Sequence, residues 1–196
     1  MSTKTDNVGI LAKTPAISVV EMGEAYLDQV LTLFGECLGR GYVTPAHLNE
    51  FIRASGGRKK GFVAVLAGEV VGAVTCLVVP TEEIEAVSLI PFDILKKFLP
   101  QDLLAGKVGL VKSIAVHESY RKQGIGRALL ISALGWLGEA GAAPVFVAAW
   151  VPGKTCNACG LLEASGFRRL FVIREFWYRD SVKKGYSCPA NSYGIC

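Results

Sequence analysis

The sequence predicts an α/β fold: a mixed central sheet flanked by helices, with a helical insertion between the third and fourth strands. Three stretches carry that expectation. Val111 to Leu130 runs from an apolar strand through a basic turn with Gly124 and Gly126 directly into a helix. Residues 61 to 80 are nearly as long and apolar as a membrane span, but Gly68-Glu69 interrupts them as a tight turn would, and their β-branched content suits two paired strands. Pro144 to Val151 is a nearly continuous apolar run of the kind buried inside a sheet.

The remaining elements follow from periodicity. Ile17 to Met22 reads as a first strand. Glu24 to Leu38 places Tyr26, Val30, Leu31, Phe34 and Leu38 at helical spacing and ends at Gly39 and Gly41. Thr44-Pro45 opens a second helix, a capping residue followed by proline at the first helical position. A basic loop from Gly56 to Gly61 leads into the hairpin of residues 62 to 79. Residues 80 to 107 carry an acidic run and a short helix after Pro91; they read either as a surface helical hairpin or as a wall of a binding site. Lys107 to His117 forms the next strand, Gly124 to Ala140 a helix, Leu161 to Ser165 a short helix closed by Gly166, and Phe167 to Tyr178 a last strand with alternating faces. The expected organisation is a tail over 1–15, one domain over 16–182 with its insertion at 80–107, and a cysteine-containing tail over 183–196.

Composition narrows the function. A chain of 196 residues with 51% hydrophobic and 19% charged residues has enough apolar material for one packed domain. The net charge of +4, from 21 basic and 17 acidic residues, is too mild to imply nucleic acid. The aromatic and basic interleaving of residues 168 to 184 is explained by strand alternation. Met1 to Asn7 is polar and lacks the apolar core of a signal peptide, so a cytoplasmic chain with no membrane partner is expected.

The turn at 121 to 128 carries the chemistry. The first N–H groups of a helix have no intrahelical partner, and the aligned peptide dipoles leave partial positive charge there, so an anion is satisfied on both counts. Gly124 and Gly126 remove side chains that would hold a ligand off the backbone, while Arg121, Lys122 and Arg127 add charge. A dinucleotide-binding turn would need a third glycine where Leu129 stands, and a P-loop would need Gly-Lys-Ser or Gly-Lys-Thr.

Arg-x-x-Gly-x-Gly after a strand ending Ile114-Ala115-Val116 closely resembles the acyl-CoA-binding signature of the GNAT superfamily of N-acetyltransferases. A second pattern agrees in spacing: Thr155, Ala158, Leu161, Leu162 and Gly166-Phe167 stand where relatives carry asparagine, alanine, leucine, tyrosine and Gly-Phe. The resemblance covers roughly residues 16 to 180 and implies a GNAT (acyl-CoA N-acyltransferase) fold. It also implies acetyl-CoA as co-substrate and an amine-bearing acceptor, small molecule or protein, acetylated directly in a ternary complex. The pantetheine arm and carbonyl would lie along Ile114, Ala115 and Val116, the phosphates on Arg121, Lys122, Gln123, Gly124, Ile125, Gly126, Arg127 and Ala128, with Thr155 beside them. A homodimer is compatible with this reading. The usual tyrosine acid is replaced by Leu162, and the fifth-strand position where some relatives keep a glutamate base is Trp150. Tyr120 and Tyr178 are the candidate catalytic substitutes, with His117 and a water relayed from Glu118 behind them. A non-enzymatic acyl-CoA sensor is the rival those two departures motivate.

Of six cysteines, Cys37 and Cys76 read as core residues. Cys156-x-x-Cys159 with Cys188 and Cys196 could supply four thiolates to a structural zinc, which would make the chain a metal-binding interaction protein. Against it, the second pair is spaced by seven residues and the first opens a helix beside the expected coenzyme site. No disulfide is expected in a cytoplasmic chain.

Overall fold

The computed structural model describes residues 16–53, 57–88, 90–151 and 156–187. Its centre is a five-stranded sheet in sequence order: β1 (Ser18–Glu21), β2 (Lys59–Leu66), β3 (Glu69–Pro80), β4 (Lys107–Val116) and β5 (Val145–Val147). The first four strands pair antiparallel and β5 joins β4 in parallel. The apolar run at 61–80 is a hairpin. Its turn residues Ala67 and Gly68 both take positive φ, the geometry that matches the twist of the flanking strands.

Helices cover both faces. On one lie α1 (Leu27–Leu38) and α2 (Pro45–Ile52), whose start is capped by Thr44 Oγ1 accepting from His47 N–H. The insertion supplies α3 (Ile84–Ser88) and α4 (Phe92–Phe98), with Ile84 and Leu95 fully buried against Leu77, Val79 and Leu110. The other face is covered by α5 (Ile125–Glu139), which places Ile125, Leu129, Leu130, Ala133 and Leu137 against Val74, Cys76 and Val111. Two further helices complete the described chain, α6 (Cys159–Ala164) and α7 (Phe176–Lys184).

Close contact between α5 and the sheet rests on Gly72. A Cβ there would stand 2.9 Å from Leu129 Cδ1 and 3.2 Å from both the Ala115 carbonyl and Ile125 Cγ2. Gly72→Val is expected to cost about 1–3 kcal/mol through overpacking, read from the urea midpoint. An unchanged midpoint would show that the helix does not sit as close as described.

Cys76 on β3 is fully buried, as a core cysteine should be, and burial pushes its thiol up to about 12 from 9.0. Between those values the folded protein keeps a proton that the unfolded chain gives up, so stability is expected to fall as pH rises across that window. At pH 8 maleimide should label Cys76 only in denaturant, as peptide mapping by mass spectrometry would show. Labelling in the folded protein would contradict its burial.

Two sequence expectations are corrected. The fifth strand is only three residues long rather than eight, because β4 changes its edge at a bulge described below. Phe167 to Tyr178 forms no strand: residues 168–173 carry no regular structure, Glu175 takes a left-handed conformation, and α7 begins at Phe176. The missed signal is a helix stop. Lys183 and Lys184 occupy the last turn and Gly185 follows in the left-handed conformation, its N–H donating to the Ser181 carbonyl. Short β5 leaves a further strand little edge to join. α7 continues to residue 184, and Tyr186 beyond it is buried.

Candidate active site

The site is built by an irregularity in β4. Opposite β3, Val111 pairs with Cys76 and Ser113 with Thr75, so Lys112 is an extra residue, a β-bulge. Before it, Gly109 points its backbone at β5, its N–H donating to the Pro144 carbonyl at 2.9 Å. After it the parity is reversed: His117 N–H donates to the Val71 carbonyl of β3, so alternate residues Ala115 and Ser113 also face β3. The peptide groups of Ile114 and Val116 are thereby turned to the side where β5 would lie. Pairing with β5 ends at Val111 and Val147, so among the described residues no strand covers that side of Ile114 to Val116.

This open edge leads into the glycine turn. A short 3-10 turn over Glu118–Tyr120 reverses the chain, with His117 Nδ1 accepting from Ser119 N–H. Arg121 Nε donates to the Val116 carbonyl at 3.1 Å, fastening the guanidinium to the end of β4. Lys122 and Gly124 both take positive φ. Gly124 is the residue before α5, and the first intrahelical bond runs from Ala128 N–H to its carbonyl, leaving the N–H groups of Ile125, Gly126 and Arg127 without helical acceptors. Buried Ile125 anchors this turn while Arg121 to Gly124 are exposed. A Cβ on Gly124 would meet nothing within 4 Å, whereas one on Gly126 would lie 3.2 Å from Leu161 Cδ2 of α6 and 3.7 Å from Val116 Cγ2. The end of β4 and the first turn of α5 thus stand close together, with α6 beside them: the Cβ position of Gly126 is within 4 Å of both Val116 and Leu161. Thr155 lies outside the described residues.

On the α1 and α2 face of the same bulge is a cavity of about 300 Å³, lined by Tyr42, His47, Thr75, Lys112, Ser113 and Asp180 among others. The bulge explains its chemistry, because two consecutive residues, Lys112 and Ser113, both line it. In a regular strand they would point to opposite faces. Ser113 Oγ donates to Tyr42 Oη at 3.5 Å, and Tyr42 packs edge-on against Trp177 and Tyr186. Burial raises the Tyr42 phenol above its ordinary value, and the Asp180 charge adds to the effect while Ser113 opposes it. Asp180 is itself held by Lys184 at 2.9 Å and by the Tyr186 hydroxyl at 3.0 Å. Sequence reading missed this cluster, since α7 was taken for a strand and Tyr42 lies in a loop. Thr44-Pro45 was the available signal, because it fixes the loop end that carries Tyr42.

The other predicted residues fall elsewhere. Leu162 is buried in the core under α5. Tyr120 stands in the 3-10 turn with its ring 5.8 Å from that of His117, and Tyr178 is 45% exposed on α7; neither lines the cavity. The expectation of free late thiols is corrected. Cys156 and Cys159 form a disulfide, their Cα atoms 5.3 Å apart at the start of α6, within ordinary bridging range. Neither then presents a thiolate to zinc, and among the described residues no group of three metal-ligating side chains occurs. Cys188 and Cys196 lie outside those residues. Among the described residues no helix is long and apolar enough to cross a membrane.

Comparison with known proteins agrees with this geometry. Solved structures with the same fold include aminoglycoside N-acetyltransferase AAC(6')-Iy in complex with CoA, at 17% identity and a TM-score of 0.62, covering 84% of this chain and 95% of that one. Glucosamine-6-phosphate N-acetyltransferase from Arabidopsis thaliana matches at 16% identity and a TM-score of 0.57, covering 81% and 95%. An acetyltransferase from Trypanosoma brucei matches at 19% and 0.57, covering 81% and 96%. Among curated proteins none matches the sequence. The family model for the acetyltransferase (GNAT) family matches residues 27–167, a span that contains the bulged strand, the glycine turn and α6. With most of its length matched and the fold in common, the chain belongs to the GNAT acetyltransferase family.

Proposed function

We propose that this protein is an N-acetyltransferase that moves an acetyl group from acetyl-CoA to a small amine bound in the cavity on the α1 and α2 face. One observation carries the reading: the edge of β4 that no strand covers after its bulge ends beside the free N–H groups of the first turn of α5, Val116 lying 3.7 Å from the Cβ position of Gly126. The diphosphate rests on the backbone from Lys122 to Ala128, with Arg121, Lys122 and Arg127 supplying charge. The pantetheine arm lies along Ile114 to Val116, and an outward N–H of this edge polarises the thioester carbonyl.

In the reaction the acceptor nitrogen, as a neutral amine, bonds to the carbonyl carbon while the carbon–sulfur bond breaks and its electron pair leaves on sulfur. Nitrogen loses one proton and sulfur gains one. The β4 edge and the cavity meet at the bulge, so both reactants are presented side by side and proximity supplies much of the rate. Tyr42 serves as the proton donor to sulfur. A phenol carries its proton at neutral pH, and because Ser113 donates to it, its own O–H is free to be directed at the reacting centre. In this reading Tyr42 takes the role for which Tyr120 and Tyr178 were the sequence candidates.

The acceptors named for the similar structures, an aminoglycoside and glucosamine 6-phosphate, are starting points for a screen. Coenzyme A release, followed by mass spectrometry with an amine panel that includes both, is expected to show turnover dependent on acceptor. Tight acetyl-CoA binding without turnover on any amine would favour the sensor reading instead.

A further inference from the structure

Resting on the N-acetyltransferase reading, we propose that the acceptor is a small amine that also carries an anionic oxygen group, a carboxylate or a phosphate, and that Lys112 is its anchor. The cavity lining holds three lysines, Lys59, Lys112 and Lys184, against two carboxylates, Glu50 and Asp180. Both carboxylates are already engaged. Glu50 pairs with Lys59, and Asp180 pairs with Lys184 and accepts from the Tyr186 hydroxyl. That leaves Lys112 as the one lysine of the lining with no carboxylate within ion-pair distance among the described residues.

Its position leaves donors free for an anion entering the cavity. Lys112 is largely buried, its Nζ donates to the Val87 carbonyl of α3 at 2.7 Å, and a lysine ammonium has two further donors to satisfy. Desolvation pulls its pKa down, with Lys184 adding to the effect and Asp180 opposing it. The charge is delivered by the bulge, an irregularity that specifically turns this side chain into the cavity beside Ser113. An acceptor bearing several ammonium groups would meet an excess of like charge and no free carboxylate. The volume, about 300 Å³, lies at the lower end of small-molecule sites, so the acceptor is small.

The test uses the full chain with acetyl-CoA and four matched amines: 4-aminobutyrate, phosphoethanolamine, n-butylamine and putrescine. The first two separate carboxylate from phosphate as the source of the anionic oxygens. At least one should be acetylated with kcat/KM about 10- to 100-fold above the two amines without an anion. Lys112→Met should reduce that preference to about threefold or less with acetyl-CoA affinity unchanged; because the Val87 carbonyl loses its donor, a modest fall in melting temperature is expected alongside. Calorimetric binding of the same four amines to the coenzyme A-loaded protein gives a readout independent of turnover and should show the same order. Normal acetyl-CoA binding with no turnover of either anionic amine, with a preference for putrescine or butylamine, or with an unaltered preference in Lys112→Met, would overturn the anchor alone. Absence of acetyl-CoA binding in the unaltered protein would overturn both readings.

Discussion

Gly126→Trp is expected to weaken acetyl-CoA binding at least ~100-fold, a loss of about 3 kcal/mol in calorimetry. Any Cβ at this position points into the gap between the first turn of α5, Leu161 of α6 and Val116 of β4, already 3.2 Å from the Leu161 methyl. An indole there fills the gap in which the diphosphate and the arm are proposed to lie. Gly124 is the informative contrast. A Cβ on Gly124 touches nothing within 4 Å, but its φ of +82° places it in the left-handed region. Gly124→Ala therefore adds only backbone strain of about 1–2 kcal/mol, which is expected to appear in stability more than in affinity. Equal effects of the two substitutions on acetyl-CoA would contradict the assignment of the gap.

Tyr42→Phe is expected to lower kcat by about 100-fold with the affinity for acetyl-CoA unchanged. The substitution keeps the ring that packs on Trp177 and Tyr186 and removes only the hydroxyl beside Ser113. Loss of that contact costs about 1 kcal/mol of stability, which Ser113→Ala should reproduce with a smaller loss of kcat, since the phenol itself is kept. A Tyr42→Phe enzyme with kcat within twofold of the parent would remove Tyr42 as proton donor and return the role to Tyr120, Tyr178 or water.

The strand, glycine turn and helix proposed to hold the coenzyme were legible in the sequence because their physics is local. Strand, glycines and helix are consecutive residues, and their spacing alone states that the N–H groups of residues 125 to 127 converge. The hairpin at 61–80 was readable for the same reason, whereas the pairings of β1 with β2 and of β3 with β4 join residues distant in sequence. The acceptor half was not legible. It depends on one extra residue, Lys112, whose effect appears only when Thr75 and Cys76 of β3 are paired against it. Reading 167–178 as a strand hid Asp180 and Lys184, because the apolar run Leu170 to Ile173, with its β-branched Val172 and Ile173, resembles a strand while the stop at Lys184-Gly185 lies beyond it. The disulfide between Cys156 and Cys159 was excluded on the expected compartment rather than on geometry, and geometry permits it.

The central claim is that acetyl-CoA lies along the open edge of β4 and on the first turn of α5. Amide chemical-shift mapping of the isotope-labelled protein during titration with coenzyme A tests it residue by residue. The largest shifts should fall on Ile114, Val116 and the amides of residues 122 to 128, with the amides at the centre of β2 unmoved. Saturable binding whose shifts cluster elsewhere, or no shift at all at millimolar coenzyme A, would contradict the account.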